Sequence, residues 1–207
     1  MVEELYKRQK DLDLDIPERV CVIGVGGIGS WVALNMGLIG VKELLLVDYD
    51  LVELHNLNRT PFRTLDVALT KTEAITEIIL ERRPDIRIRS FHKRLEELSS
   101  FELMEIEDAV IIDCRDVLDE LPFQSKKRVK LGYDGLSVTL IFNPKYDKIW
   151  DLEPDRGYEV VPSFLAPCQF LATAIVTLLV DSTFDMEAMD HKIVTLDIRE
   201  HFTEMLK

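Results

Sequence analysis

The run Arg19-Val20-Cys21-Val22-Ile23-Gly24-Val25-Gly26-Gly27-Ile28-Gly29-Ser30 passes from an apolar segment into a glycine-rich turn and then into a longer apolar stretch. Residues 19–25 form a nearly unbroken β-rich run, the pattern of a strand buried on both faces. Residues 28–39 carry apolar side chains at helical spacing, and residues 43–48 make a second strand-like run that ends in Asp48. Strand, turn, helix and strand in this order predict a βαβ unit.

The same alternation continues outward. It predicts a helix over 70–83, strands over 86–91 and 109–113, and a helix over about 117–127. Strands follow over 130–133, 136–142 and 192–199, with a long helix over about 163–180 separating the last two. The reading is a Rossmann-like α/β fold, a doubly wound, mostly parallel sheet with an antiparallel or mixed extension in the C-terminal half. No repeat or low-complexity linker interrupts it, so residues 1–207 read as one domain: an N-terminal helix or arm over 1–18, a nucleotide-binding half over 19–128 and a mixed-sheet extension over 129–207.

Composition removes several classes of function. The 207 residues are 47% hydrophobic and 30% charged, with nine glycines and eight prolines, which excludes disordered and fibrous chains. With 25 Lys and Arg against 38 Asp and Glu, the formal charge of -13 repels nucleic-acid phosphates and anionic lipid. Cys21, Cys114 and Cys168 are odd in number, far apart and set in apolar surroundings, the usage of a reducing, cytoplasmic protein rather than of a disulfide framework. Residues 1–15 alternate in charge, so no signal peptide is expected there. The apolar run 164–180 contains Pro167 and Gln169 and reads as a buried helix rather than a membrane span.

A glycine turn between strand and helix lets the backbone approach a phosphate, and the free N–H groups of the helix start face it. The pattern Gly24, Gly26, Gly27 and Gly29 therefore predicts a nucleotide, with Asp48 at the end of the second strand placed to accept hydrogen bonds from ribose hydroxyls. This fingerprint alone does not separate NAD, FAD and ATP. The residues that follow point to a triphosphate: Asn56 and Arg59 fall on one face of a short helix beyond Asp48, and Lys71 opens the next helix. Such cations suit charge developing at phosphorus better than redox chemistry.

These motifs resemble those of the ThiF, MoeB and HesA family, the adenylating domain shared with ubiquitin-activating enzymes. The resemblance rests on the Gly24 to Gly29 turn, on Asp48-x-Asp50 with Asn56-Leu57-x-Arg59 downstream, on Lys71 and on Asp113-Cys114-Arg115-Asp116. Tyr6-Lys7-Arg8-Gln9 matches the family's N-terminal Tyr-x-Arg-Gln element. It extends over residues 5 to about 199.

The resemblance implies that ATP and Mg²⁺ bind at the glycine turn. The C-terminal carboxylate of a ubiquitin-like or sulfur-carrier protein ending in Gly-Gly then attacks the α-phosphate, releasing pyrophosphate and leaving an acyl adenylate. It further implies that Asp48 holds the ribose, that Asp50 belongs to the same nucleotide-binding set, that Asn56, Arg59 and Lys71 hold the phosphates, and that Asp116 binds Mg²⁺, a role compatible with capping a helix. Arg8 would act on the site of a neighbouring subunit, hence a homodimer. The chain has no C-x-x-C pair, so no structural zinc is expected, and residues 147–161, where thioester-forming members carry their cysteine, contain none. Cys114 and Cys168 read as buried apolar residues, and Phe62, Trp150 and Tyr158 as core rather than partner surface. Two other readings stay open: a catalytically silent scaffold within a heterodimer, and an NAD-dependent oxidoreductase, for which no catalytic His or Tyr-x-x-x-Lys pair is evident.

Overall fold

The computed structural model describes residues 2–117, 120–125, 127–145 and 163–206. Its elements are α1 (Val2–Leu5), β1 (Arg19–Ile23), α2 (Gly27–Ile39), β2 (Glu43–Val47), α3 (Lys71–Leu80), β3 (Arg87–Phe91), α4 (Ser100–Glu107), β4 (Val110–Asp113), β5 (Arg128–Asp134), β6 (Ser137–Phe142), α5 (Leu165–Leu179), β7 (Lys192–Asp197) and α6 (Ile198–Met205). The strands form one sheet in the order β3-β2-β1-β4-β5-β6-β7. Pairing is parallel from β3 through β5 and antiparallel from β5 to β7. The strand order reverses between β1 and β4, the switch point at which doubly wound sheets bind ligands.

Alternate residues of the central strands bury themselves on opposite faces. Val20, Val22, Leu44 and Leu46 meet α2, α3 and α5, whereas Cys21, Ile23, Leu45 and Val47 meet Ile106 of α4. Sequence patterns without period-two polarity follow directly from this double cover. α5 packs along α2, so the apolar run is a core helix, with Pro167 tolerated in its first turn. No described helix is long and apolar enough to cross a membrane. Phe62 is buried in the core as expected; Trp150, Tyr158 and the stretch 147–161 lie outside the described residues.

Two helices depart from expectation. The helix expected over 117–127 is not formed by the described residues there; Leu121 and Phe123 instead plug the α4 side of the core as irregular chain. Pro122 between them removes a backbone donor and resists a helix interior. The helix on that face is α4, whose start is a capping box: Glu102 N–H donates to Ser99 Oγ at 3.3 Å, and Ser99 N–H donates to Glu102 Oε2 at 2.8 Å. The last strand also ends at Asp197 rather than continuing to 199, because the Asp197 carboxylate accepts the N–H groups of Arg199 and Glu200 and starts α6.

The N-terminal arm docks against the far end of α2. Gln9 Nε2 donates to Ile39 O at 2.7 Å, and the Arg83 guanidinium carbon lies 4.9 Å from the centre of the Tyr6 ring.

Candidate functional site

The glycine turn leaves β1 at the switch point. Gly24 has φ +83°, and a Cβ on it would lie 3.0 Å from Arg115 N and 3.1 Å from Cys114 C. Only glycine combines that conformation with so close an approach to the exit of β4. A Cβ on Gly29 would sit 1.8 Å from Gly24 O, so the first turn of α2 is pressed onto the end of β1. At Gly26 a Cβ would meet nothing within 4 Å: the turn faces open space there. No side chain caps the start of α2. Its first N–H groups therefore face a volume that an anion can occupy.

Asp48 is buried at 8% exposure, and its carboxylate spans two backbone donors. Oδ2 accepts Val25 N–H at 2.6 Å and Oδ1 accepts Asp50 N–H at 2.7 Å. Burial pushes its pKa up, while Lys71 and these two N–H groups pull the other way. Asp48 thus ties the glycine turn to the end of β2, using one lone pair of each oxygen and leaving the others to a ligand. Lys71, first residue of α3, donates its ammonium to Asp50 Oδ2 at 2.8 Å. Thr70 caps this helix and accepts Glu73 N–H at 3.2 Å, which fixes where Lys71 emerges.

Asn56 and Arg59 belong to a tight turn rather than an α-helix. Asn56 is buried and its Oδ1 accepts Glu53 N–H at 3.0 Å, leaving the Nδ2 amide for a ligand. Arg59 is held at both ends: its carbonyl accepts Trp31 Nε1 at 2.9 Å, and its Nη1 donates to His55 O at 2.5 Å and Asn58 Oδ1 at 3.2 Å. No described carboxylate pairs with its guanidinium. Its Cδ lies 3.7 Å from where a Cβ of Gly27 would be, so the guanidinium stem flanks the start of α2.

Beyond β4, Asp113 is consumed inside the protein. Arg115 grips it through Nε at 3.0 Å and Nη2 at 2.9 Å, and Lys130 Nζ approaches Oδ1 at 3.4 Å. Burial lowers the Lys130 pKa and Asp113 opposes that shift. Asp116, three residues on, is exposed beside this network. Among the described residues no three His, Cys, Asp or Glu side chains converge as a metal cage. A Mg²⁺ that arrives on a triphosphate would need only one or two protein carboxylates, and Asp116 offers one exposed carboxylate here.

Arg8 is not with the others. It is exposed on an arm anchored at Ile39, whereas the glycine turn lies at the other end of α2, a 13-residue helix about 20 Å long. An arginine side chain does not span that distance. All three cysteines are free, and burial pushes their thiols up, which disfavours the nucleophilic thiolate. The sequence reading did not single out Lys130, which pairs with Asp113, or Tyr133, whose hydroxyl lies beside Gly27. A lysine inside the apolar run of β5 and a tyrosine in phase with Val129 and Leu131 were the signals available.

Residues 9–129, more than half of the chain, match the sequence profile of the ThiF family. The chain belongs to the ThiF family. Among curated ThiF-related proteins, ubiquitin-like modifier-activating enzyme 5 of Arabidopsis thaliana is 41% identical over 83 residues, 40% of this chain and 19% of that protein. The enzyme of the same description from Oryza sativa subsp. japonica is 37% identical over 97 residues, 47% of this chain and 22% of that protein. The match thus spans about a fifth of the length of these relatives. Two solved structures share the ThiF-type fold. PaaA superposes with a TM-score of 0.69 at 22% identity, covering 88% of this chain and 61% of that one. E. coli MccB with MccA-N7isoASN gives 0.64 at 17%, covering 96% and 72%.

Proposed function

We propose that this ThiF-family chain is an ATP-dependent adenylyltransferase that converts the C-terminal carboxylate of a ubiquitin-like or sulfur-carrier protein into an acyl adenylate and releases pyrophosphate. The observation that carries the reading is the meeting, across Gly27, of an uncapped α2 start with an Arg59 that has no described carboxylate partner. The similarity to ubiquitin-like modifier-activating enzymes supports the class of substrate, and an ATP complex of the structural neighbour MccB agrees with the nucleotide. Residues 1–207 would act as one adenylation domain, cytoplasmic and homodimeric.

Asp48 holds the turn and offers its remaining lone pairs to the ribose. Asp50 holds Lys71 until phosphate oxygens compete for the ammonium, and Asn56 Nδ2 adds a neutral donor. Mg²⁺, carried by the triphosphate and held by Asp116, would neutralise phosphate charge. The attacking carboxylate is already an anion, so no general base is required. The protein's task is to bring two anions together, which fixed cations and helix N–H groups accomplish without reorganising during the reaction. Arg8, too far from its own turn, would complete the site of a second subunit.

Exchange of labelled pyrophosphate into ATP tests the reading. Exchange that depends on both Mg²⁺ and a Gly-Gly-ending ubiquitin-like protein of the same genome is the expected result. Absence of exchange with every such protein contradicts it.

A further inference from the structure

Tyr133 stands on β5, outside every motif that marks the nucleotide site, yet its hydroxyl faces the start of α2. A Cβ on Gly27 would lie 3.5 Å from Tyr133 Oη, 2.9 Å from Cys168 Sγ and 3.7 Å from Arg59 Cδ. Three side chains from three different elements thus close on one residue of the helix start. Tyr133 reaches it because it is in phase with Val129 and Leu131, on the sheet face that carries α2 and α5. Its hydroxyl is hydrogen-bonded to the hydroxyl of Ser163, just before α5. A serine hydroxyl donates one proton and accepts others. When Ser163 donates to Oη, the phenolic proton remains for another acceptor. Burial pushes the phenol up to about 12, opposed by Arg59 and by the bond to Ser163, so the group stays a neutral donor at physiological pH. The Cys168 thiol donates to Phe164 O, and its sulfur accepts from the phenol, but sulfur is a weak acceptor that a phosphate oxygen displaces.

We propose that Tyr133 is a phosphate-binding residue of this site: its hydroxyl, oriented by Ser163, donates a hydrogen bond to the nucleotide phosphate held at the start of α2 beside Arg59. The proposal rests on the ATP reading above and adds to it a contact from β5. A neutral donor suits a place where two anions must meet, because it bonds to phosphate oxygen without demanding a counter-charge when the site is empty.

Tyr133→Phe removes the hydroxyl and keeps the ring. Calorimetric titrations with ATP plus Mg²⁺ and, separately, with adenosine distinguish a phosphate contact from a structural one. The expected result is an ATP Kd raised about tenfold or more, the effect of one hydrogen bond to a charged group, with the adenosine Kd unchanged. Ser163→Ala is expected to raise the ATP Kd by less and to leave adenosine unaffected. An ATP Kd within twofold of the unsubstituted protein overturns the proposal, as does an equal loss for ATP and adenosine accompanied by a lower Tm. If the unsubstituted protein binds adenosine and ATP equally or not at all, the nucleotide reading itself fails, and the proposal with it.

Discussion

Single atoms decide much of this site. The 1.8 Å approach of a Gly29 Cβ to Gly24 O leaves no flexible neighbour to yield, so Gly29→Ala must part α2 from β1. Loss of the folded state, read as a collapsed urea transition, is the expected outcome, whereas Gly26→Ala, with nothing within 4 Å, should keep its fold. Arg59 has no acidic partner among the described residues, so Arg59→Ala should leave stability nearly unchanged. The same substitution should weaken ATP binding by about 1.5–3 kcal/mol, the range for a hydrogen bond to a charged group. Lys71 differs because Asp50 already holds its ammonium. Asp50→Asn removes that competitor, and its ATP titration should show Lys71 binding phosphate at least as tightly as before. What sequence singled out at this scale was a set of candidates, Asp48, Arg59 and Lys71 among them, which the structure places around the glycine turn and the ends of β2 and α3. Sequence did not reveal their partners: that both Asp48 oxygens bind backbone N–H groups depends on where the turn falls relative to β2, which periodicity does not encode.

At the scale of elements, the α2 side of the sheet was legible because β1 and β2 are unbroken apolar runs and α2 and α3 carry apolar residues at helical spacing. The α4 side was not. Ser100–Glu107 mixes Phe101 and Met104, exposed, with Ile106, buried, so its apolar stripe is too weak to read. Conversely, Val117, Leu118 and Leu121 have helical spacing in the sequence, while Pro122 resists a helix interior. Ser99→Ala should cost about 1 kcal/mol in urea unfolding, the usual worth of an N-cap. Glu102 sharpens this. The Lys93 ammonium, then the Ser99 backbone and side-chain donors, hold its carboxyl at about 2, below the ordinary value of 4.5. A depressed carboxylate pKa contributes stability present above the unfolded value and lost as pH falls toward the folded one. Acid unfolding should therefore include a component between about pH 4.5 and 2 that Glu102→Gln lacks, visible as a flatter dependence of the urea midpoint on pH.

At the scale of the whole molecule, the distance between arm and turn becomes a statement about assembly. Arg8 and Lys71 act in one site only if they come from two chains. Mixing Arg8→Ala with Lys71→Ala, each inactive alone, should restore roughly a quarter of the wild-type exchange activity, since half the dimers are mixed and each mixed dimer has one intact site. No recovery would show that the arm serves its own chain or none. The central claim is that the switch-point cleft of this ThiF-family protein receives ATP. Its most direct test is a calorimetric titration of the purified protein with ATP plus Mg²⁺ and separately with NAD, alongside Arg59→Ala. Saturable binding of ATP, absence of binding by NAD and weakened ATP binding in Arg59→Ala are predicted; binding of NAD in preference to ATP would contradict the account.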